Sequence, residues 1–333
     1  MRREIGSEFW NVPVMEKQNS LFPESTQWYL SGRSALQAII AELGEAGSVS
    51  LPSWCCDSMI KPFVDAGLSI NYHPVVVENG ELIQKVGADT DVLFLMDYFG
   101  YTAPQPDLNG YRGIVVRDVT HSLFSSTYSD ADYYFGSLRK WCGVWTGGYA
   151  WSRDYHRLKV GSPNAGYITL RSRAMEMKKA YIEEGQGDKE YLKRYDAAED
   201  YLETVGIAPA ADRDMGLAQR LDVETIKVRR RANAEVLRRA FPDWLIFPNL
   251  SPTDTPMFVP VFVPDGKRDA LRRYLINNEI YCPIHWPVSG YHKLDERTAH
   301  IYENELSLVC DQRYTEEDMN RMVDTINTFW KEA

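Results

Sequence analysis

Apolar residues along this chain follow two alternating rhythms. Leu36, Ile39, Ile40 and Leu43 recur at helical spacing and the run closes at Gly44, which predicts a helix with one buried stripe. Val49-Ser50-Leu51-Pro52 then reads as a strand that stops at a loop carrying Ser53 and Trp54. Met59, Phe63 and Val64 predict a second helix ending at Gly67, and Ser69 to Tyr72 a further strand almost at once. Strand, helix and strand joined by short connections predict a parallel α/β sheet, since parallel neighbours need a crossover. The same rhythm returns at Val92 to Met96, Gly113 to Arg117 and Tyr133 to Phe135. Ligands of such sheets bind at the carboxyl ends of the strands.

From Arg153 to Glu224 the pattern turns helical, with Tyr181, Tyr191, Leu192, Tyr195, Tyr201 and Leu202 set among many charges. That composition suits a helical insert packed on the large domain or on a dimer mate. A helix from Val223 to Ala240 follows, and its arginines (229–231, 238 and 239) are expected to form a solvated face.

Composition narrows the class. With 333 residues, 44% of them hydrophobic, the chain can bury a large core. A formal net charge of −10, from 37 basic against 47 acidic residues, argues against a nucleic-acid surface, which needs a basic footprint. The first twenty residues mix Arg2, Arg3, Glu4, Glu8, Glu16 and Lys17 with isolated apolar residues, so no signal-peptide core is expected there. Val92 to Met96 is too short to span a membrane. Five cysteines, with Cys55 and Cys56 adjacent, form neither a disulfide framework nor a paired metal spacing, which fits a reducing cytoplasm. No G-x-G-x-x-G follows a strand, and neither a Walker lysine, an H-E-x-x-H nor a Cys/His cluster is present, so no metal is expected.

Candidate chemistry gathers at three places. Asp132 to Phe135 runs into Gly136-Ser137-Leu138-Arg139-Lys140, with Gly147-Gly148 and another apolar run behind it. A lysine in that turn sits at the rim of a sheet, and an imine-forming amine needs a depressed pKa, which burial beside Arg139 could supply. Its plain alternative is a surface lysine. Asp118 ends an apolar strand and has His121 three residues on; either it caps the next turn beside a core histidine, or it pairs with a buried cation. Gly32-Arg33-Ser34 opens the first helix, where unbonded backbone amides suit a phosphate or simply carry a cap.

Taken in order, Gly32-Arg33-Ser34-Ala35-Leu36, Leu51-Pro52-Ser53-Trp54, Asp118-x-x-His121 and Ser137-x-x-Lys140 with Gly147-Gly148 resemble the DegT/DnrJ/EryC1/StrS family of pyridoxal-phosphate (PLP) sugar aminotransferases, which have fold type I. The C-terminal run Ile280-Tyr281-Cys282-Pro283-Ile284-His285-Trp286-Pro287 and Leu306-Ser307-Leu308 are similar to the small domain of those enzymes. The resemblance implies a mostly parallel central sheet with helices on both faces, a smaller α+β domain over residues 241–333 and a homodimer with its active site at the subunit interface. It further implies transfer of an amino group, with glutamate as donor, to a keto group of a nucleotide-linked sugar in polysaccharide or secondary-metabolite assembly. Residue by residue, it implies that Lys140 holds PLP as the internal aldimine and that Asp118 pairs with the pyridine nitrogen. His121 would lie near the phenolic oxygen, Trp54 would stack on the ring, and Gly32, Arg33, Ser34 and Ser137 would hold the phosphate. His285 would touch substrate.

Three departures stand out. Arg33 occupies a place where relatives carry a small or hydroxyl residue, which suggests an added cation. Ser137 lies closer to the lysine than is usual. In the middle segment only Asn164 and Arg171 are candidates for an arm reaching the partner's cofactor. A related PLP-dependent sugar lyase or dehydratase shares most of these residues, although dehydratases replace the lysine. A non-catalytic PLP-fold protein acting in binding or regulation is the third reading.

Overall fold

The strand expected at Val49 to Pro52 forms over Ser48–Pro52 and has a parallel neighbour on each side. This is seen in a computed structural model that describes residues 4–87, 89–125 and 130–332, so Arg2 and Arg3 lie outside the described residues. The described chain divides into two compact units, one built from Glu8–Gly44 and Asp132–Val223, the other from Glu4–Ser7, Glu45–Ala131 and the residues from Glu224 onward.

The second unit carries four strands in the order Ile114–Asp118, Val92–Met96, Ser48–Pro52 and Ser69–His73, all parallel. Val92–Met96 is buried along its whole length, as a strand covered on both faces must be. Met96 stands opposite Asp118, and Ser50 opposite Leu93, so the loops carrying Trp54, Tyr98 and His121 leave the same edge of this sheet. The helix Asp57–Asp65 buries Met59 and Phe63, as expected, together with Ile60, whereas Val64 is exposed. Further along, Phe258–Phe262 pairs antiparallel with Glu305–Val309, and Val259, Val261, Leu271, Leu306 and Leu308 pack with Met322 into a core of their own.

One expectation fails here. The helix Val223–Ala240 forms, but of its arginines only Arg229 and Arg239 are exposed. Arg230 is buried and donates to Gln312 Oε1 (2.7 Å) and the Met257 carbonyl (2.8 Å), while Arg231 and Arg238 donate to the carbonyls of Ser251 and Phe247. Three consecutive residues sweep most of a helix circumference, so one of the run must face inward. A guanidinium survives there because carbonyl oxygens take its hydrogens.

The first unit holds Gln27–Tyr29, Gly148–Ser152 and Tyr133–Ser137, paired antiparallel in that order. Tyr133–Ser137 therefore departs from the expected parallel pattern toward its Gly148–Ser152 neighbour, because the connection over residues 138–147 holds no crossover helix. The middle segment is helical as expected. Ala165–Lys179 and Tyr191–Leu202 pack on each other through Tyr167, Met175, Tyr195 and Leu202, and a π turn at Ala180–Glu184 ends at left-handed Gly185.

Candidate active site

Lys140 closes a single 3-10 turn, Leu138–Lys140, at the end of the buried strand Tyr133–Ser137. The turn is fixed on both sides. Leu138 N–H donates to the Gly147 carbonyl (2.8 Å), a closure for which Gly147 adopts φ +125°. Trp141 is fully buried, and the Thr146 amide and hydroxyl both donate to Asp214 Oδ2 at 2.8 Å. The lysine itself is exposed, and among the described residues its Nζ makes no hydrogen bond or ion pair. This corrects the expectation of a sheltered amine: the strand and turn are buried, whereas the Lys140 side chain is exposed.

Arg139 does not act on its neighbour as an uncompensated charge either. Its guanidinium donates to Glu199 (2.7 Å) and to Tyr167 Oη, and Arg171 pairs with Glu8 (2.6 Å) and Glu199 (3.4 Å). Two buried arginines thus share two carboxylates beside Lys140. Arg171 lies under the Tyr195 ring with its charge at 4.7 Å, so it is an internal strut and not an arm reaching outward. Asn164, its companion candidate, caps the helix Ala165–Lys179 by accepting from Tyr167 N–H at 3.0 Å.

This network is expected to make the protein acid-sensitive. Burial pushes the Glu199 pKa up, but Arg139 and Arg171 outweigh it and pull it from 4.5 to about 2; Glu8 is lowered in the same way, by Arg171 against burial. A carboxylate with a depressed native pKa favours the fold above its ordinary value and loses that contribution as pH falls through the native one. The thermal midpoint is therefore expected to drop between pH 4.5 and about 2. Glu199→Gln should lie below wild type at neutral pH and follow a flatter acid limb. Melts monitored by circular dichroism across that range check it, and equal slopes would sink it.

The first helix, Gly32–Ile40, begins beside the lysine strand. A side chain at Gly32 would sit 3.3 Å from Ser137 Cβ, so glycine allows the helix start and the buried Ser137 to come together. Ser31 caps the helix by accepting from Ser34 N–H (3.1 Å), and Ser34 Oγ donates to the Gly206 carbonyl (2.7 Å). The first intrahelical bond runs from Ala35 N–H, which leaves the amides of Gly32 and Arg33 ahead of it as anion donors. Arg33 pairs with Glu203 at 2.8 Å, so its extra cation is already matched. Of the four residues expected at a phosphate, Gly32 lies beside Ser137, the Arg33 guanidinium pairs with Glu203, and the Ser34 amide and hydroxyl donate to Ser31 and Gly206.

In the second unit, Asp118 is buried at its strand end and Oδ1 accepts from Thr120 N–H at 2.8 Å. Its negative charge is felt nearby: after burial, it is among the causes that push the Cys55 thiol and the Tyr98 phenol up. Buried His121 accepts at Nδ1 from Phe99 N–H (3.2 Å), which places its ring proton on Nε2. Trp54 is fully buried with one face stacked on Tyr98 (5.0 Å, 9°).

Trp54 and His121 meet at Trp286, whose ring lies nearly parallel to His121 (5.9 Å, 22°) and edge-on to Trp54 (5.8 Å). Trp54 Nε1 also donates to the His285 carbonyl. His285 is held at three points, since its N–H donates to Glu305 Oε2 (2.7 Å) and its Nδ1 bonds Ser307 Oγ (2.8 Å). Neither Trp286 nor Glu305 was marked as a site residue by sequence reasoning. Glu305 and Ser307 at alternate positions of one strand were the available signal, because such side chains share a face.

No family model matches the sequence, and no curated protein matches it. Solved structures do. PseC of Helicobacter pylori, an aminotransferase involved in pseudaminic acid biosynthesis, superposes with a TM-score of 0.65 at 13% identity over 98% of this chain and 100% of its own. The fold is that of the sugar aminotransferases. Spr1654 from Streptococcus pneumoniae, assigned as a sugar aminotransferase and solved in its PLP form, gives 0.62 at 14% identity over 92% of this chain and 87% of its own. A DegT/DnrJ/EryC1/StrS aminotransferase from Brucella abortus gives 0.61 at 14% identity over 91% and 85%. The aminotransferase fold accounts for a parallel sheet whose carboxyl edge carries Trp54 and Asp118. Among the described residues of that fold, no three His, Cys, Asp or Glu side chains are placed to hold a metal ion, and no helix is long and apolar enough to cross a membrane.

Proposed function

We propose that this chain is a PLP-dependent aminotransferase that moves an amino group, with glutamate as donor, to a keto group of a nucleotide-linked sugar. The observation that carries the reading is the buried carboxylate of Asp118, followed by His121, at the carboxyl edge of a parallel sheet with the aminotransferase fold. A carboxylate buried at that edge is the kind of group that pairs with a protonated ring nitrogen. The solved neighbour from Streptococcus pneumoniae occurs in PLP and PMP (pyridoxamine phosphate) forms, which supports the choice of cofactor.

PLP, when bound, supplies an electron sink that stabilises negative charge at the amino-acid α carbon. The chain's own residues do the rest. Lys140 Nζ would hold the cofactor aldehyde and would move a proton at the amino-acid α carbon. Asp118 would pair with the pyridine nitrogen. His121 would face the phenolic oxygen. The amides of Gly32 and Arg33, with Ser137, would hold the phosphate. Trp54 and Trp286 supply aromatic walls. Lys140 and Asp118 belong to different units, so each role rests on its own surroundings.

The same reading includes a homodimer, a cytoplasmic location where amino acid and sugar nucleotide are supplied, and a small domain after about Ala240, supported by the separate core of that segment. Its test is spectroscopic. Purified protein mixed with PLP should gain the absorbance of the bound cofactor, and glutamate should convert it to pyridoxamine phosphate. A panel of keto-sugar nucleotides followed by mass spectrometry should then reveal one amine product. Binding of PLP without conversion by any amino donor would favour a regulatory protein, and an eliminated sugar product would favour a lyase.

A further inference from the structure

We propose that Asp97 is the positioning residue for Asp118 and His121, and that it acts by tying the turn that carries both to the loop that fixes the His121 ring. The roles of Asp118 and His121 toward a cofactor rest on the aminotransferase reading above; the tie itself does not.

Asp97 follows the buried strand Val92–Met96, and Asp118 ends the neighbouring strand Ile114–Asp118. Asp97 reaches across to that second segment three times. Its N–H donates to the Asp118 carbonyl (3.0 Å), its Oδ1 accepts from Arg117 (2.5 Å), and its Oδ2 accepts from the Ser122 hydroxyl (2.5 Å). Consecutive strand residues point to opposite faces of a sheet, so Asp97 meets Arg117 on the face away from the Asp118 carboxylate.

His121 is thereby held on both flanks. On one side Thr120 N–H donates to Asp118 Oδ1 (2.8 Å), and on the other Ser122 reaches Asp97. The imidazole itself accepts at Nδ1 from Phe99 N–H (3.2 Å), which belongs to the same loop as Asp97. That loop has little freedom of its own. The Phe99 carbonyl accepts from Met257 N–H (2.8 Å), and at Gly100, with φ +78°, an added Cβ would stand 2.0 Å from the Thr255 carbonyl oxygen. Tyr98, between Asp97 and Phe99, stacks on Trp54 and donates to its carbonyl at 2.6 Å. The loop 97–100 thus meets Trp54, Asp118 and His121 at once.

Charge makes the tie specific to an acid at position 97. Arg117 is buried, and a buried guanidinium needs acceptors that match it: Asp97 takes one amino group and Gln105 Oε1 the other (2.8 Å). Among the described residues Arg117 makes no ion pair with Asp118, so the arginine next to that carboxylate in sequence is spent on Asp97 instead.

Two substitutions separate the tie from the ion pair. Ser122→Ala removes the hydroxyl and keeps Asp97 on Arg117, so it should melt as wild type does. On the full chain without cofactor, hydrogen exchange of the Phe99 amide should quicken about tenfold in this variant, because the His121 acceptor is no longer held against it. The nitrogen-15 signal of His121 Nδ1 should move in step, and Ser122→Thr, which restores a hydroxyl, should return both readings. Asp97→Ala should reproduce both changes at a lower melting temperature, since it strands Arg117 as well. With PLP added, Ser122→Ala should shift the absorbance maximum of the bound cofactor. Unaltered Phe99 exchange and an unaltered His121 signal in Ser122→Ala overturn the proposal, as does an unshifted absorbance beside an altered His121 signal, which would confine Asp97 to scaffolding. Altered exchange in protein that takes up no PLP, wild type included, would retain the tie and remove the aminotransferase reading.

Discussion

Lys140→Ala is expected to abolish the absorbance of bound PLP and to lower amino transfer by about 10²–10⁴-fold, the range that a positioned proton carrier contributes. Stability should barely change, within roughly 0.5 kcal/mol, because the side chain is exposed and makes no hydrogen bond or ion pair among the described residues. That separation of effects follows from the site. The turn around Lys140 is fixed by Trp141, Thr146 and Gly147, none of which the substitution touches. Lys140→Arg is the informative companion, since it keeps charge and reach but offers no amine able to condense with an aldehyde. Absorbance, melting temperature and single-turnover transfer measured on the three proteins decide the matter. Retained absorbance in Lys140→Ala would move the anchor to another residue.

Asp118→Asn is expected to leave the protein folded and able to take up PLP, yet to reduce turnover by about 10²–10⁴-fold. The amide preserves shape, and its oxygen can still accept from Thr120 N–H, the bond that Asp118 Oδ1 makes now. What it lacks is charge, so it cannot hold a proton on the ring nitrogen. Stopped-flow spectra of conversion by glutamate would locate the loss in the chemical step and not in binding. Equal rates in variant and wild type would mean that the carboxylate merely ends its strand.

Much of the fold could be read from periodicity. The strand at 92–96 follows an apolar run of five residues and that at 114–118 a run of three, those at 48–52 and 69–73 follow alternation, and the helices at 32–40 and 57–65 follow helical spacing. Local patterns suffice there because burial on a sheet or a helix face depends mainly on alternation along the chain. The candidate site was legible only in part. Asp118 and His121 announced themselves as polar groups at the end of an apolar strand, whereas Glu305 looked like one more charge ahead of a hydrophobic segment.

By itself, then, the sequence determined the alternating α/β order, the strand end where Asp118 sits, and the glycine-flanked turn that carries Lys140. Tertiary structure alone decided which charges are inside. It turned Arg230 inward onto carbonyl oxygens, matched Arg139 and Arg171 with Glu8 and Glu199 while Lys140 stayed exposed, and set Glu305 in line with Ser307 and His285. The physical reason is distance along the chain. Whether an ionisable side chain is solvated, paired or neutralised depends on partners tens or hundreds of residues away, and no local period records them.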